Sequence, residues 1–124
     1  MNNYVYQKMT FSEINQTLAD CYICVLAVSE NNTPYMIPMY FDYDKGYNEP
    51  VFILESKNNG QKIGHLSNND QVCLFIQYNE PDAYKSIIAC GKAFISRVEA
   101  NCSYQNMIKI KVQVQDITGR LYKK

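Results

Sequence analysis

The 124-residue sequence has no long apolar run and no excess of charge of either sign. No apolar run approaches the roughly 20 residues that a transmembrane helix needs, so no membrane-spanning segment is predicted. Lys+Arg and Asp+Glu are both 12, which argues against the broad basic field of a general nucleic-acid binder. The first residues lack the basic start and apolar stretch of a secretory signal. We therefore expect a cytoplasmic protein with neither a membrane nor a nucleic acid among its partners.

Metal-ligating residues are also scarce, since His65 is the only histidine. A lone histidine on a helix could ligate haem or a metal, but metal sites need several clustered ligands, so a surface or capping role is favoured and no metal is predicted. The five cysteines are odd in number and irregularly spaced, unlike the disulfide framework of a small secreted protein. They are Cys21, Cys24, Cys73, Cys90 and Cys102.

Cys21 and Cys24 have the C-x-x-C spacing of redox and zinc motifs. No second C-x-x-C supplies the remaining zinc ligands. A thioredoxin-like motif opens a helix, whereas this one leads into an apolar, β-branched run. Structural thiols are therefore favoured, and a redox role is the alternative.

The length and a hydrophobic fraction of 47% predict one folded domain over residues 1–124. Thr10 and Glu13 form a capping-box pattern before apolar residues at helical spacing, which predicts a helix over 11–20. Apolar runs around a turn cluster at 31–34 predict a hairpin over 22–43. The same criteria predict strands at 51–54, 72–77, 86–98 and 108–115, and a short helix at 59–68.

These elements predict a mainly β (α+β) fold, a six-stranded antiparallel barrel with two short helices. Short connections favour antiparallel pairing, and closure into a barrel removes vulnerable sheet edges. Pro38 lies inside a predicted strand, where it marks an edge or a bulge because it cannot donate a ladder hydrogen bond. Gly91 marks a bulge or bend in the strand 86–98.

The segment from Leu54 to Lys62 has the composition of a phosphate site: a strand ends, a hydroxyl follows, and a helix opens after an Asn-Gly turn. The free N–H groups and the dipole of a helix N-terminus favour an anion. Ser56 adds a hydroxyl, Gly60 permits close approach to the backbone, and Lys62 adds a charge. The alternative is that Asn58 or Asn59 only caps the helix and Lys62 is solvated.

Four segments in this order resemble the pyridoxamine 5'-phosphate oxidase-like FMN-binding proteins, and especially their small nitroimidazole-resistance-like branch. The hairpin strand from Pro34 to Phe41 is similar to the family's P-x-x-x-P strand. The stretch from Leu54 to Leu66 is similar to its strand–Ser–Gly–basic stretch. The segments 69–75 and 84–93 resemble its next two strands.

The resemblance implies a split β-barrel, a homodimer, and one FMN in each of two clefts between the subunits. The residues it assigns to the phosphate are Ser56, Gln61 and Lys62, with Gly60 in the same turn. The residues it places beside the isoalloxazine ring are Ile37, Pro38, Met39, Tyr40 and Ser86. Gln61 stands where the family often has Arg, which removes one positive charge. Glu55 stands where an aromatic residue or His is common, so the ring contacts differ.

The leading functional hypothesis is an FMN flavoprotein that performs redox chemistry on a small-molecule substrate, with NAD(P)H as the electron donor. In such proteins the flavin carries the chemistry, so no catalytic side chain is assigned. Two alternatives stay open. One is a non-catalytic flavin-binding or stress-related module, and the other is a split-barrel dimer without cofactor.

Overall fold

The structure is a computed structural model that describes residues 5–46, 49–57, 69–98 and 107–124. Within these ranges one helix and seven strands occur. In chain order they are β1 (Tyr6–Lys8), α1 (Phe11–Ala19), β2 (Ile23–Glu30), β3 (Thr33–Asp44), β4 (Val51–Lys57), β5 (Gln71–Asn79), β6 (Ala83–Val98) and β7 (Met107–Lys123). Each of the six predicted strands has a counterpart here.

Six of the strands close into an antiparallel barrel. Their order is β7-β4-β3-β2-β5-β6, and β6 pairs again with β7 to complete the circle. Closure pairs the two strands that would otherwise be the sheet edges. The predicted mainly β barrel is confirmed.

The barrel itself has the predicted six strands, and β1 is a seventh strand that was not predicted. It pairs with the end of β7, where Tyr6 lies opposite Tyr122 and Lys8 lies opposite Arg120. All three residues of β1 are exposed, so the segment has no alternation of apolar and polar residues that could have indicated it. The second predicted helix, at 59–68, lies outside the described residues.

Helix α1 begins at the predicted capping box. The Glu13 backbone N–H donates to Thr10 Oγ1 at 3.2 Å, and the Thr10 N–H donates to Glu13 Oε1 at 3.0 Å. This reciprocal pair of hydrogen bonds satisfies two backbone N–H groups that have no acceptor within the helix. The helix ends one residue before the predicted bound, and its buried face carries Ile14, Thr17 and Leu18.

The hairpin of β2 and β3 turns on Asn31 and Asn32, whose φ angles are 50° and 63°. A two-residue turn with both φ values positive matches the right-handed twist of the flanking strands, and asparagine tolerates that conformation. On the opposite side, β3 pairs with β4 only from Phe41 to Asp44. Pro38 therefore has a strand neighbour, β2, on one side only among the described residues, which agrees with the predicted edge position.

The two longest strands, β6 and β7, curve around the barrel together. Their register shifts between Cys90 and Gly91, which confirms the predicted bulge. Such a bulge bends a strand and increases its twist, so one long strand can pair with different strands along its two halves. The first half of β7 pairs with β4, and its second half pairs with β1.

Alternate side chains of the strands fill the barrel, and Ile14 and Leu18 of α1 join the same cluster. The largest fully buried side chains are Phe52, Leu18, Leu26, Leu54, Leu74, Ile76, Ile87, Ile110, Val112 and Cys24. Because each strand alternates, the other half of its side chains points out of the barrel. That outer face is where the candidate site lies.

The cysteines of the described residues fall into two classes. Cys73 and Cys90 lie directly opposite each other on β5 and β6 and form a disulfide. This bond was not foreseen, because strand register rather than sequence spacing brings the two residues together. Cys21 and Cys24 are free thiols.

The two free thiols have the character of structural residues. Burial raises the pKa of Cys24 to about 12, and burial followed by the nearby Asp20 charge raises the pKa of Cys21. The thiolate is the reactive form of cysteine, so both groups are poor nucleophiles at neutral pH. This supports the structural interpretation of the C-x-x-C spacing.

Replacing Cys24 by alanine is expected to lower the free energy of unfolding by about 1–2 kcal/mol, because it leaves a small cavity in the core. Only 1% of Cys24 is exposed. Urea unfolding at pH 7 measures the loss. Cys21→Ala is the matched control, because Cys21 is half-buried and its replacement should cost less. A larger loss for Cys21→Ala than for Cys24→Ala would contradict this assignment.

Candidate flavin-binding face

The predicted ring contacts on strand β3 point alternately to the inside and the outside of the barrel. The side chains of Ile37 and Met39 are buried in the core, with 8% and 5% of their surface exposed. Pro38 and Tyr40 point outward, and Tyr40 is 67% exposed. A ligand on the outer face could therefore touch Ile37 and Met39 only through their backbone.

The register of the sheet extends the outer face from Pro38 across five strands. Pro38 lies opposite Val25, Val25 opposite Phe75, and Phe75 opposite Ile88. Ile88 in turn lies opposite Thr118 on β7. We call this line of five side chains the outer row. Four of its five members are apolar, and Ile88 is 46% exposed.

Exposed apolar side chains beside the outer row widen it into a patch. Met36 and Tyr40 lie on either side of Pro38 along β3, and Ile23 lies opposite Tyr40 on β2. Their exposed fractions are 69%, 67% and 47%. Contiguous exposed apolar surface of this kind is a candidate binding surface.

A groove of about 610 Å³ opens at the β6–β7 end of the outer row. Its apolar and hydroxyl-bearing lining residues are Phe75, Ser86, Ile88 and Thr118, and its basic and phenolic ones are Tyr84, Arg120, Tyr122, Lys123 and Lys124. The volume lies within the range of small-molecule sites. A mixed apolar and cationic lining suits a flat aromatic ligand that carries negative charge.

Ser86 is the polar group that the groove buries most deeply. Its exposed fraction is 9%, and its hydroxyl has no hydrogen-bond partner among the residues that the structure describes. Buried hydroxyl groups in folded proteins nearly always have a partner in the protein, in water or in a ligand. Ser86 is the one predicted ring contact that lies in this groove.

Arg120 was not predicted from the sequence, yet it lies directly opposite Ser86 across β6 and β7. Its guanidinium lies 4.5 Å from the centroid of the Tyr6 ring. A hydrogen bond with Tyr122 is the main cause that raises the pKa of Arg120, which remains a cation at every physiological pH. No local motif surrounds this residue, so only the sheet register could have identified it.

Three tyrosine rings pack against one another on the side of the groove where Arg120 lies. The Tyr122 centroid lies 5.6 Å from that of Tyr6 and 5.6 Å from that of Tyr84, with the rings tilted. Such spacings are favourable for aromatic pairs. Two of these rings line the groove itself.

Tyr40 and Glu55 meet in a second, smaller depression of about 210 Å³. The Tyr40 ring stacks on that of Tyr22, with a centroid distance of 6.3 Å and an interplanar angle of 12°. Glu55 Oε1 lies 3.7 Å from Lys109 Nζ, and because both side chains are nearly half exposed the ion pair contributes little to stability. Tyr40 borders the outer row, so this depression adjoins the same face.

Most of the predicted phosphate site lies outside the described residues. The backbone of Ser56 pairs with Ile108 near the end of β4, so the strand does end beside this segment. Gly60, Gln61 and Lys62 lie outside the described residues, as does His65. The phosphate assignment stays a prediction.

The described part of the chain lacks both a candidate metal site and a candidate membrane-spanning helix. It contains no group of three or more side chains suited to hold a metal ion. It also contains no helix with the length and apolar character needed to cross a membrane.

No protein-family profile matches the sequence, and no curated protein is similar to it in sequence. The fold is similar to that of many solved structures. An FAD-binding protein from Mesorhizobium loti superposes with a TM-score of 0.78 at 13% identity, over 98% of this chain and 100% of that one. A proposed 5-nitroimidazole antibiotic resistance protein from Bacteroides thetaiotaomicron gives a TM-score of 0.76 at 18% identity, over 98% and 90%.

A proposed pyridoxamine 5'-phosphate oxidase from Corynebacterium glutamicum is similar over 97% of this chain and 100% of that one, with a TM-score of 0.75 and 17% identity. The names of the last two structures correspond to the branch and to the family that the sequence resembles. The similarity establishes the fold of the chain as their split β-barrel.

Proposed function

We propose that this split β-barrel is a flavin-binding protein that performs redox chemistry on a small molecule. The observation that carries the proposal is the buried Ser86 hydroxyl, which has no partner among the described residues and lines a groove at the end of an apolar outer row. The name of the similar FAD-binding protein from Mesorhizobium loti supports a flavin as the ligand.

The residues of the groove fit an isoalloxazine ring. Ser86 can donate to a ring carbonyl or accept from the ring N–H, and the outer row offers an apolar surface to the ring. Arg120 can stabilise negative charge on the ring, which builds up when a flavin is reduced. A bound flavin supplies reversible two-electron transfer, so the protein needs to bind it, orient it and exclude water.

FMN is the form of flavin that we propose. Ser56, Gln61 and Lys62, with Gly60 in the turn, would hold its phosphate. Pro38 and Tyr40, with the backbone of Ile37 and Met39, would lie beside the ring. Glu55 would lie near its edge.

A homodimer completes the proposed site. The outer row and its flanking residues Ile23, Met36 and Tyr40 leave an apolar face on one barrel, and a second copy would bury it through a two-fold interface. The flavin would then lie in the cleft between the two subunits.

The first experiment is the absorption spectrum of the purified protein. A bound flavin makes the protein yellow, and the spectrum bleaches when the flavin is reduced. Bleaching by NADH or NADPH supports the oxidoreductase proposal. A yellow protein that neither nucleotide bleaches, and that turns over no electron acceptor after chemical reduction, would instead favour a non-catalytic flavin-binding module.

Lys62→Ala is expected to weaken FMN binding about tenfold or more, because it removes a charge-assisted contact worth roughly 1.5–3 kcal/mol. Gln61→Arg should tighten binding by adding a second charge. A fluorescence titration at moderate salt measures both affinities. Riboflavin is the matched control, because it lacks the phosphate and should bind equally to wild type and Lys62→Ala. Equal FMN affinity for these two proteins would remove Lys62 from the phosphate site.

A further inference from the structure

The disulfide between Cys73 and Cys90 lies on the same outer face as the outer row, two residues from Phe75 along β5 and two residues from Ile88 along β6. We propose that these two cysteines form a reversible thiol–disulfide couple that exchanges with low-molecular-weight thiols while the barrel stays folded. The pair is thus a site of S-thiolation. The proposal does not depend on flavin binding, but it requires that the proposed homodimer leave the Cys73–Cys90 part of this face open to solvent.

Both cysteines lie outside the hydrophobic core, on the outer face of the barrel. Cys73 and Cys90 are each half-buried and point out of the barrel, since their strand neighbours Val72, Leu74 and Ala89 are buried in the core. Exposed disulfides are the ones that exchange readily, whereas buried structural disulfides resist reduction.

The strands that carry the disulfide are held together without it. Nine residue pairs from Gln71–Lys92 to Asn79–Tyr84 join β5 to β6. The core faces of the two strands carry Leu74, Ile76 and Ile87, which lie on the other side of the sheet from the sulfur atoms. Opening the disulfide therefore removes no core contact and breaks no ladder pair.

The exchange proceeds in two balanced steps. A thiolate of the small thiol attacks one sulfur of the disulfide, a new mixed S–S bond forms, and the other cysteine leaves as a thiolate that takes up a proton. A second small thiolate attacks the mixed disulfide at the sulfur of the small thiol. The products are the oxidised small-molecule disulfide and the second protein thiol. Two electrons pass from two small thiols to the protein disulfide.

The free thiols of Cys21 and Cys24 do not fit this role. Burial raises the pKa of both groups, and Cys24 is 1% exposed. The C-x-x-C spacing suggested a redox role for Cys21 and Cys24, whereas the sheet register pairs Cys73 with Cys90 on the outer face.

Equilibration with glutathione tests the proposal on the wild-type protein. Samples in buffers of graded reduced-to-oxidised ratio are quenched with acid, alkylated and digested with trypsin. Cys73 then lies in the peptide 63–85 and Cys90 in 86–92, so the disulfide appears as a linked pair of peptides. We expect the linked pair to convert to two alkylated peptides over a defined range of ratios, with the far-UV circular dichroism of the β-sheet unchanged.

Two results would overturn the proposal. One is that both cysteines stay free in excess oxidised glutathione. The other is that the linked peptides persist in excess reduced glutathione until urea unfolds the protein, which would make the disulfide a purely structural bond.

Cys73→Ala provides an independent measurement. It leaves Cys90 without its partner, so oxidised glutathione should leave one glutathione on Cys90 that reduced glutathione removes. Cys24→Ala is the matched control and should titrate like the wild type. Absence of an adduct on Cys90 in folded Cys73→Ala would also overturn the proposal.

Discussion

Replacing Ile88 by lysine is expected to dissociate the proposed homodimer and to lower flavin affinity at least about a hundredfold. Ile88 is the fourth of the five side chains in the outer row and also lines the groove. A lysine there would place an unpaired charge inside the interface, at a cost of several kcal/mol, and each 1.4 kcal/mol is a factor of ten in affinity. Sedimentation over a dilution series and a fluorescence titration with FMN measure the two effects.

Phe94→Lys is the matched control for Ile88→Lys. Phe94 lies on the same strand and is 44% exposed, close to the 46% of Ile88, but it lies beyond the Gly91 bulge and outside the groove. The control should therefore remain dimeric and bind flavin normally. If both variants lose the dimer equally, the interface does not lie on the outer row.

Wild-type protein should also show linkage between the flavin and the dimer. A ligand that binds only the assembled form stabilises it, so FMN should shift the dissociation midpoint to lower protein concentration. A stable monomer that binds FMN with full affinity would refute the shared cleft.

Replacing Gly91 by alanine is expected to lower the free energy of unfolding by about 3 kcal/mol or more, or to prevent folding. A Cβ at this position would overlap the backbone carbonyl of Gln113 and lie 3.0 Å from the Cα of Val114. Backbone atoms in a paired strand cannot move aside as a flexible side chain can, so β6 and β7 would have to separate locally. Urea unfolding measures the loss, and the soluble yield reports a failure to fold.

Gly119→Ala is the matched control within the same pair of strands. A Cβ at Gly119 would lie 2.8 Å from Ile14 Cγ1, 2.9 Å from Met9 Sδ and 3.1 Å from Met9 Cβ, which are side-chain rather than backbone atoms. We expect a loss of about 1 kcal/mol for this variant. If Gly119→Ala is the more damaging of the two, close backbone approach is not the reason for glycine at position 91.

The sequence by itself determined the local elements of this protein. The capping box at Thr10 and Glu13 and the turn at Asn31 and Asn32 depend on residues within four positions of one another. Strand alternation is equally local, because it follows from the two-residue period of a β-strand. The bulge at Gly91 could also be predicted from local sequence, because a glycine there interrupts an otherwise continuous strand pattern.

Only the tertiary structure decided which residues share a surface. Ser86 and Arg120 are 34 positions apart, and Cys73 and Cys90 are 17 apart, yet both are directly opposed pairs. Their pairing depends on which strands are neighbours and on the register between those strands. A shift of the register by one residue would move each side chain from the core to the surface or the reverse. Short strand β1 was missed because its three exposed residues carry no alternation at all; its pairing with β7 is a tertiary contact. Local spacing determines the elements, while the face they form together arises only when the barrel closes.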